Sequence, residues 1–179
     1  MLYGNFLGSR RKIAESYLVD GSRDYQYFKT YYANSSTLER FQLQENYFAN
    51  EAWFPKPEHR FSLPKTTEKS GSYYFFRRIL EYAHREEIDL RLFISPLHAR
   101  LAHSLWAAGL WDEWKEWKLA LVTINTKAGF SSNASIFDIW DFSGFNDVTT
   151  EPVPTKSKST DPLENYLESS HYIKDTAGD

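Results

Sequence analysis

The chain has 179 residues, the size of one ordinary domain, and its 41% hydrophobic content is enough to build a core. A net charge of -3 argues against broad electrostatic capture of nucleic acid, and the short basic run Arg10, Arg11 and Lys12 reads as a solvated face. Without cysteine there is no disulfide framework, no thiolate nucleophile and no zinc–thiolate site, which suits cytoplasm and periplasm equally.

No apolar run approaches the roughly 18 residues of a membrane helix, so no insertion by this chain itself is expected. Met1 is not followed by the basic and apolar segments of a signal peptide. Residues 1–72 read as an irregular, partly helical N-terminal region, and 73–179 as an α/β unit. Lys12–Asp20 suits a strand that ends at the Asp20-Gly21 turn. From Asp24 to Phe54 the pattern is helical in places: Tyr25, Phe28, Tyr31 and Tyr32 share one face, and Leu38, Phe41 and Leu43 continue the apolar count. Pro55 and Pro57 break the chain, and residues 64–72 are a polar loop.

The middle is clearer. Residues 73–87 predict an amphipathic helix with Tyr74, Phe75, Ile79, Leu80, Tyr82 and Ala83 inward, and Arg77, Arg78, Glu81 and Arg85 outward. Ile88–Ile94 is a short apolar strand closed by Ser95-Pro96. A second helix runs from about Leu97 to Ala108 and stops at Gly109. A third runs from Trp111 to about Thr126, with Trp114, Trp117, Leu121 and Ile124 on one stripe. Ser135–Phe142 reads as a second strand. This order predicts an α/β fold, a partial doubly wound parallel sheet flanked by helices, with 88–94 and 135–142 parallel in one sheet. Ligands of such sheets sit beyond the carboxyl ends of the strands. The loops Ser95–His98 and Asp141–Gly144 are thereby nominated. Residues 149–162 read as an exposed connection, and the tail is helix-compatible around Leu163, Tyr166 and Leu167. It lacks the closing helix usual in α/β domains, so the chain is expected to be truncated at its C-terminus.

Glu168-Ser169-Ser170-His171 carries the most chemistry. A carboxylate three positions before a histidine can hold one ring nitrogen and leave the other to act as general base toward a serine. The competing reading is a pair of exposed helix-end residues. With Tyr172 and with Gly178 seven residues past the histidine, the segment resembles the last block of the SGNH (GDSL-like) hydrolase superfamily. There an aspartate and a histidine are separated by two residues, with a glycine following. The resemblance covers roughly residues 73–178 and is nearest the bacterial cell-surface polysaccharide-modifying branch and its uncharacterised relatives. It implies an SGNH/flavodoxin-like fold and an esterase or acyltransferase acting on an ester, such as O-acetyl groups of a surface glycan, with no cofactor. His171 would be the base, Glu168 its orienter and a serine the nucleophile. A periplasmic or cell-surface location would follow if an anchor lies upstream.

Two departures stand out. Glu168 occupies the position where the family usually has aspartate, and no Gly-Asp-Ser block follows the first strand. Asp20-Gly21-Ser22 has those letters in another order, so Ser22 is the candidate nucleophile, against a plain polar turn. With a nucleophile upstream of Met1, the chain would hold base and orienter but no serine to activate.

Among the other polar residues, His98 lies just past a strand end and could bind substrate or support His171; otherwise it is a satisfied helix-start histidine. His98 and His103, five apart, do not share a helix face as two metal ligands would. Asp138 and Asp141 point to opposite faces of a strand, so no metal site is assigned, and Asp141, Ser143 and Asn146 form a substrate-contact set with Ser95 and His98. Trp106, Trp111, Trp114 and Trp117 could stack sugar rings, but their spacing favours core packing. The alternatives to an enzyme are a non-catalytic glycan- or protein-binding relative, or a scaffold element of a membrane-anchored assembly.

Overall fold

The computed structural model describes residues 34–53, 69, 71–155, 160 and 163–173. The expected strand Lys12–Asp20 and the candidate nucleophile Ser22 lie outside the described residues.

Helix α1 (Thr37–Phe48) begins at a capping box: the Glu39 N–H donates to Ser36 Oγ, and the Ser36 N–H donates to the Glu39 carboxylate at 2.7 Å. It runs into one π-helical turn, Ala49–Trp53, whose last residue is buried. Then come α2 (Gly71–Arg85), β1 (Leu92–Ile94), α3 (Ala99–Ala107), α4 (Trp111–Ser131), β2 (Ile139–Asp141), β3 (Tyr166–Glu168) and β4 (His171–Tyr172). The architecture is broadly α/β. Strands β1 and β2 pair in parallel, with Leu92 opposite Ile139, Phe93 opposite Trp140 and Ile94 opposite Asp141. The Phe142 N–H extends this ladder to the Ile94 carbonyl at 3.0 Å. The parallel relation expected between 88–94 and 135–142 is therefore direct, but the strands are shorter than expected, three residues each, Leu92–Ile94 and Ile139–Asp141.

Two apolar clusters hold these elements. Tyr73 and Leu80 of α2 pack on Ile124 and Ala128 of α4, with Leu92 of β1 and Phe137 against them. Trp53, Leu101, Leu105, Ala108 and Leu110 form the second cluster beneath the π turn. Because successive strand residues point to opposite faces, Phe93 lies on the face opposite Leu92, and its partner Trp140 shares that face. Both are about half exposed, at 56% and 47%.

Helix α3 ends where expected. Gly109 adopts φ 71°, its N–H donates to the Trp106 carbonyl, and the Leu110 N–H reaches back to the Leu105 carbonyl. This is a Schellman closure, which needs a left-handed residue past the last helical turn. Gly109→Ala is expected to cost about 1–2 kcal/mol, the strain of that conformation for an L-residue. A thermal melt checks this, and an unchanged midpoint would contradict it.

Three expectations are corrected. The α2 face is covered on one stripe alone: Tyr73, Leu80 and Ala83 are buried, whereas Phe75, Ile79 and Tyr82, expected inward, are more than half exposed. Tyr73 and Leu80 meet α4, which touches just one side of the helix. Helix α4 continues past Thr126 to Ser131, because Ala128 and Gly129 still pack. A Cβ on Gly129 would stand 3.1 Å from Ile136, so this close return of the chain depends on glycine. Finally, the tail is a hairpin rather than a helix, β3 antiparallel to β4 with an irregular register between Tyr166 and Glu168. The four consecutive residues Tyr166–Ser169 are all buried. A strand enclosed on both sides satisfies that requirement, and an amphipathic helix does not.

Candidate active site

The hairpin brings Glu168 and His171 opposite one another across the Ser169-Ser170 turn. It is tied down from two directions: the His98 N–H donates to the Ser169 carbonyl at 3.3 Å, and Arg40 Nε donates to the Leu167 carbonyl at 3.1 Å. Glu168 is fully buried, and its Oε1 meets Nδ1 of His171. Its Oε2 accepts from the Ser170 N–H at 2.9 Å, and the Ser170 hydroxyl lies at 3.0 and 3.2 Å from the two carboxylate oxygens. A carboxylate out of water requires such partners. The His171 side chain is 43% exposed, so the ring stands between a buried anion and the surface. The carboxylate on Nδ1 selects the tautomer that carries its proton there, which puts the lone pair on Nε2.

Ser170 plays another part. Its hydroxyl lies 3.1 Å from the same ring nitrogen, Nδ1, and accepts from Gln44 Nε2 at 3.1 Å. It therefore belongs to the orienting side of the ring, where it steadies the carboxylate. A serine to be activated would approach Nε2.

Two apolar cavities flank this turn. One, of about 320 Å³, lies at the carboxyl ends of β1 and β2 and is lined by Phe93, Phe142, Asn146, Val148, Thr149 and Tyr172. The other, of about 280 Å³, is lined by Ser170 together with Phe48, Trp53, Leu105, Trp114 and Trp117. Trp114 and Trp117 stack on each other at 4.9 Å, the packing role their spacing favoured.

The substrate-contact set expected from sequence divides. Asn146 lines the strand-end cavity, and Ser95 stands exposed directly after β1. Asp141 and Ser143 are engaged with each other and with Lys118. Asp141 Oδ1 accepts from the Ser143 N–H and Oγ, while Lys118 Nζ lies 2.8 Å from Asp141 Oδ2 and 2.7 Å from Ser143 Oγ. Burial would raise the Asp141 pKa, but the Lys118 and Ser143 donors together outweigh it and hold the carboxyl below the usual range. This trio closes the turn after β2. Lys118 gave no signal in the sequence, since its partners lie more than twenty positions away. Among the described residues no three metal-ligating side chains cluster, and no helix is long and apolar enough to cross a membrane.

His98 takes the helix-start role that is the other reading of it. It is 2% exposed, its Nδ1 accepts from the Arg100 N–H to cap α3, and its Nε2 donates to the Glu151 carbonyl at 2.9 Å. Its ring packs edge-on against Tyr166 of the hairpin at 4.9 Å. Burial lowers its pKa below the usual 6.5, against the contrary pull of the Glu151 carbonyl. As pH falls through 6.5 the unfolded chain binds a proton that the folded chain refuses, so stability is lost below that pH until the folded group also titrates. The urea midpoint is expected to drop between about pH 7.5 and 5.5, and less so in His98→Asn, which keeps a capping side chain. An equal drop in both proteins would remove His98 as the source.

In comparisons with known proteins, no family model matches the chain, and neither a curated protein nor a solved structure matches it significantly.

Proposed function

We propose that the strand-end site performs ester chemistry of the SGNH type, hydrolysis or acyl transfer, with His171 as general base and Glu168 as its orienter. The observation that carries this reading is the buried Glu168 carboxylate on Nδ1 of a half-exposed His171. In the proposed reaction, Nε2 takes the proton of a serine hydroxyl as that oxygen adds to the ester carbonyl carbon. The same proton passes to the departing alkoxide as its C–O bond breaks, leaving an acyl-serine. Water, or an acceptor alcohol in transfer, then takes the acyl group by the same base. Ser22 is the nominated nucleophile. Asn146 is the nominated donor to the developing oxyanion: its Oδ1 is spent on the Val148 and Thr149 N–H groups, while Nδ2 makes one long contact, 3.5 Å to the Gly144 carbonyl. The partial doubly wound SGNH-like fold belongs to the same proposal, supported by the parallel β1–β2 pair and its flanking helices.

Hydrolysis of p-nitrophenyl butyrate tests it. His171→Ala is expected to lower turnover by about 10³-fold or more with an unchanged circular dichroism spectrum. Unchanged turnover removes His171 from the mechanism. A second reading, a non-catalytic glycan- or protein-binding relative, draws on the exposed aromatic side chains Phe93, Trp140, Phe142 and Phe145 around the strand ends. Glycan or protein capture without turnover of any ester would favour it.

A further inference from the structure

We infer that the strand-end cavity is an acyl pocket for a medium-length hydrocarbon chain, so that the preferred ester is a medium-chain acyl ester rather than an acetyl ester. This rests on the ester reading above and specifies its substrate. The first observation is size. At about 30 Å³ per water-sized group, 320 Å³ holds on the order of ten carbon-sized groups, and an acetyl methyl would leave most of it unfilled. The second is chemistry. Phe93, Phe142, Val148 and Tyr172 supply an aromatic and aliphatic wall. Thr149 adds no free donor, because its hydroxyl donates to the Gly144 carbonyl at 2.7 Å and accepts from the Asn146 N–H at 2.9 Å. The Asn146 amide is the remaining side-chain amide in the wall, one group suited to one carbonyl oxygen. A sugar ring could stack on Phe93 or Phe142, but its several hydroxyls would meet few side-chain partners in the wall beyond the Asn146 amide and the Tyr172 hydroxyl. A hydrocarbon chain gives up no hydrogen bonds to water by entering, and its burial outweighs the chain entropy lost. The third is position: the cavity opens at the carboxyl ends of the parallel strands, where ligands of such sheets sit, and Tyr172 of the hairpin strand that carries His171 closes one side of it.

The test compares kcat/KM for p-nitrophenyl acetate and octanoate in wild type and in Val148→Trp, which fills the cavity, alongside calorimetric titration with sodium octanoate. Octanoate ester is expected to be preferred at least ten-fold over acetate, since each buried methylene adds a few-fold. Val148→Trp is expected to erase that preference and weaken octanoate binding at least ten-fold. Equal or better use of acetate would overturn the inference, as would octanoate binding that Val148→Trp leaves intact. If no ester is turned over but octanoate binds and Val148→Trp abolishes it, the ester reading fails and the apolar ligand site stands. If octanoate neither binds nor reacts, the pocket assignment fails as well.

Discussion

Glu168→Gln is expected to lower kcat for ester hydrolysis by roughly 10³–10⁴-fold while leaving KM nearly unchanged, the size of effect seen when the orienting acid of a serine–histidine–acid triad is neutralised. The reason is local. The carboxylate accepts from Nδ1 of His171, so the ring's lone pair lies on Nε2. A glutamine amide retains the shape, but it can present its NH2 to Nδ1 and stabilise the opposite tautomer. Nε2 would then carry a proton and could not remove one from a serine. The cavity lining proposed to hold substrate does not include Glu168, which is why the loss is expected in kcat. Glu168→Asp is the informative companion. The shorter side chain keeps the charge but draws it back from the ring, and about a ten-fold loss is expected from the poorer alignment. A glutamine variant as active as wild type would show that the pair is structural.

Arg40 carries the largest expected effect on stability. It is 2% exposed, and its guanidinium donates from Nε to the Leu167 carbonyl, from Nη1 to the Ser35 and Thr160 carbonyls, and from Nη2 to Thr37 Oγ1. These bonds stitch α1 to the chain entering the hairpin. Hydrogen bonds from a charged donor contribute roughly 1.5–3 kcal/mol each, offset in part by the cost of holding the cation out of water. Arg40→Met, similar in length and able to fill the same space, is expected to destabilise by about 3–5 kcal/mol, read from the urea midpoint. It should also reduce ester turnover, since β3 loses the donor that holds Leu167 one residue before Glu168. A change below about 0.5 kcal/mol would mean that these contacts contribute little.

Some of this was legible in the sequence because it rests on local rules. The Gly109 stop, the helix starting at Trp111 and the parallel relation of β1 and β2 follow from periodicity and punctuation, and the structure has them in place. Glu168 and His171 were recognisable as partners because three positions separate them, a distance that a tight turn spans as readily as a helix. The hairpin itself was not legible. Strands of three and two residues are too short to show an alternating pattern, and Tyr166 and Leu167 fit a helix equally well on paper. Nor could sequence tell which apolar stripe of α2 finds a neighbour, since amphipathicity marks a face without naming what covers it. Nothing in the sequence around Arg40 or Lys118 marks either as a structural residue. Their partners are brought near by the fold: Leu167 lies 127 positions from Arg40, and Asp141 lies 23 from Lys118. His98 was half legible, nominated for its place after a strand and then found to use both ring nitrogens in positioning the helix start and the chain around it.

The most direct test of the central claim is covalent labelling with a fluorophosphonate, read by intact mass and peptide mapping in wild type, His171→Ala and Glu168→Gln. An activated serine attacks phosphorus whether or not the natural ester is known, so the result does not depend on guessing the substrate. One adduct is expected on a serine in wild type, mapping to Ser22, with labelling at least 100-fold slower in both variants. Labelling at the same rate in all three proteins, or no serine adduct in wild type, would contradict a base-activated nucleophile at this site.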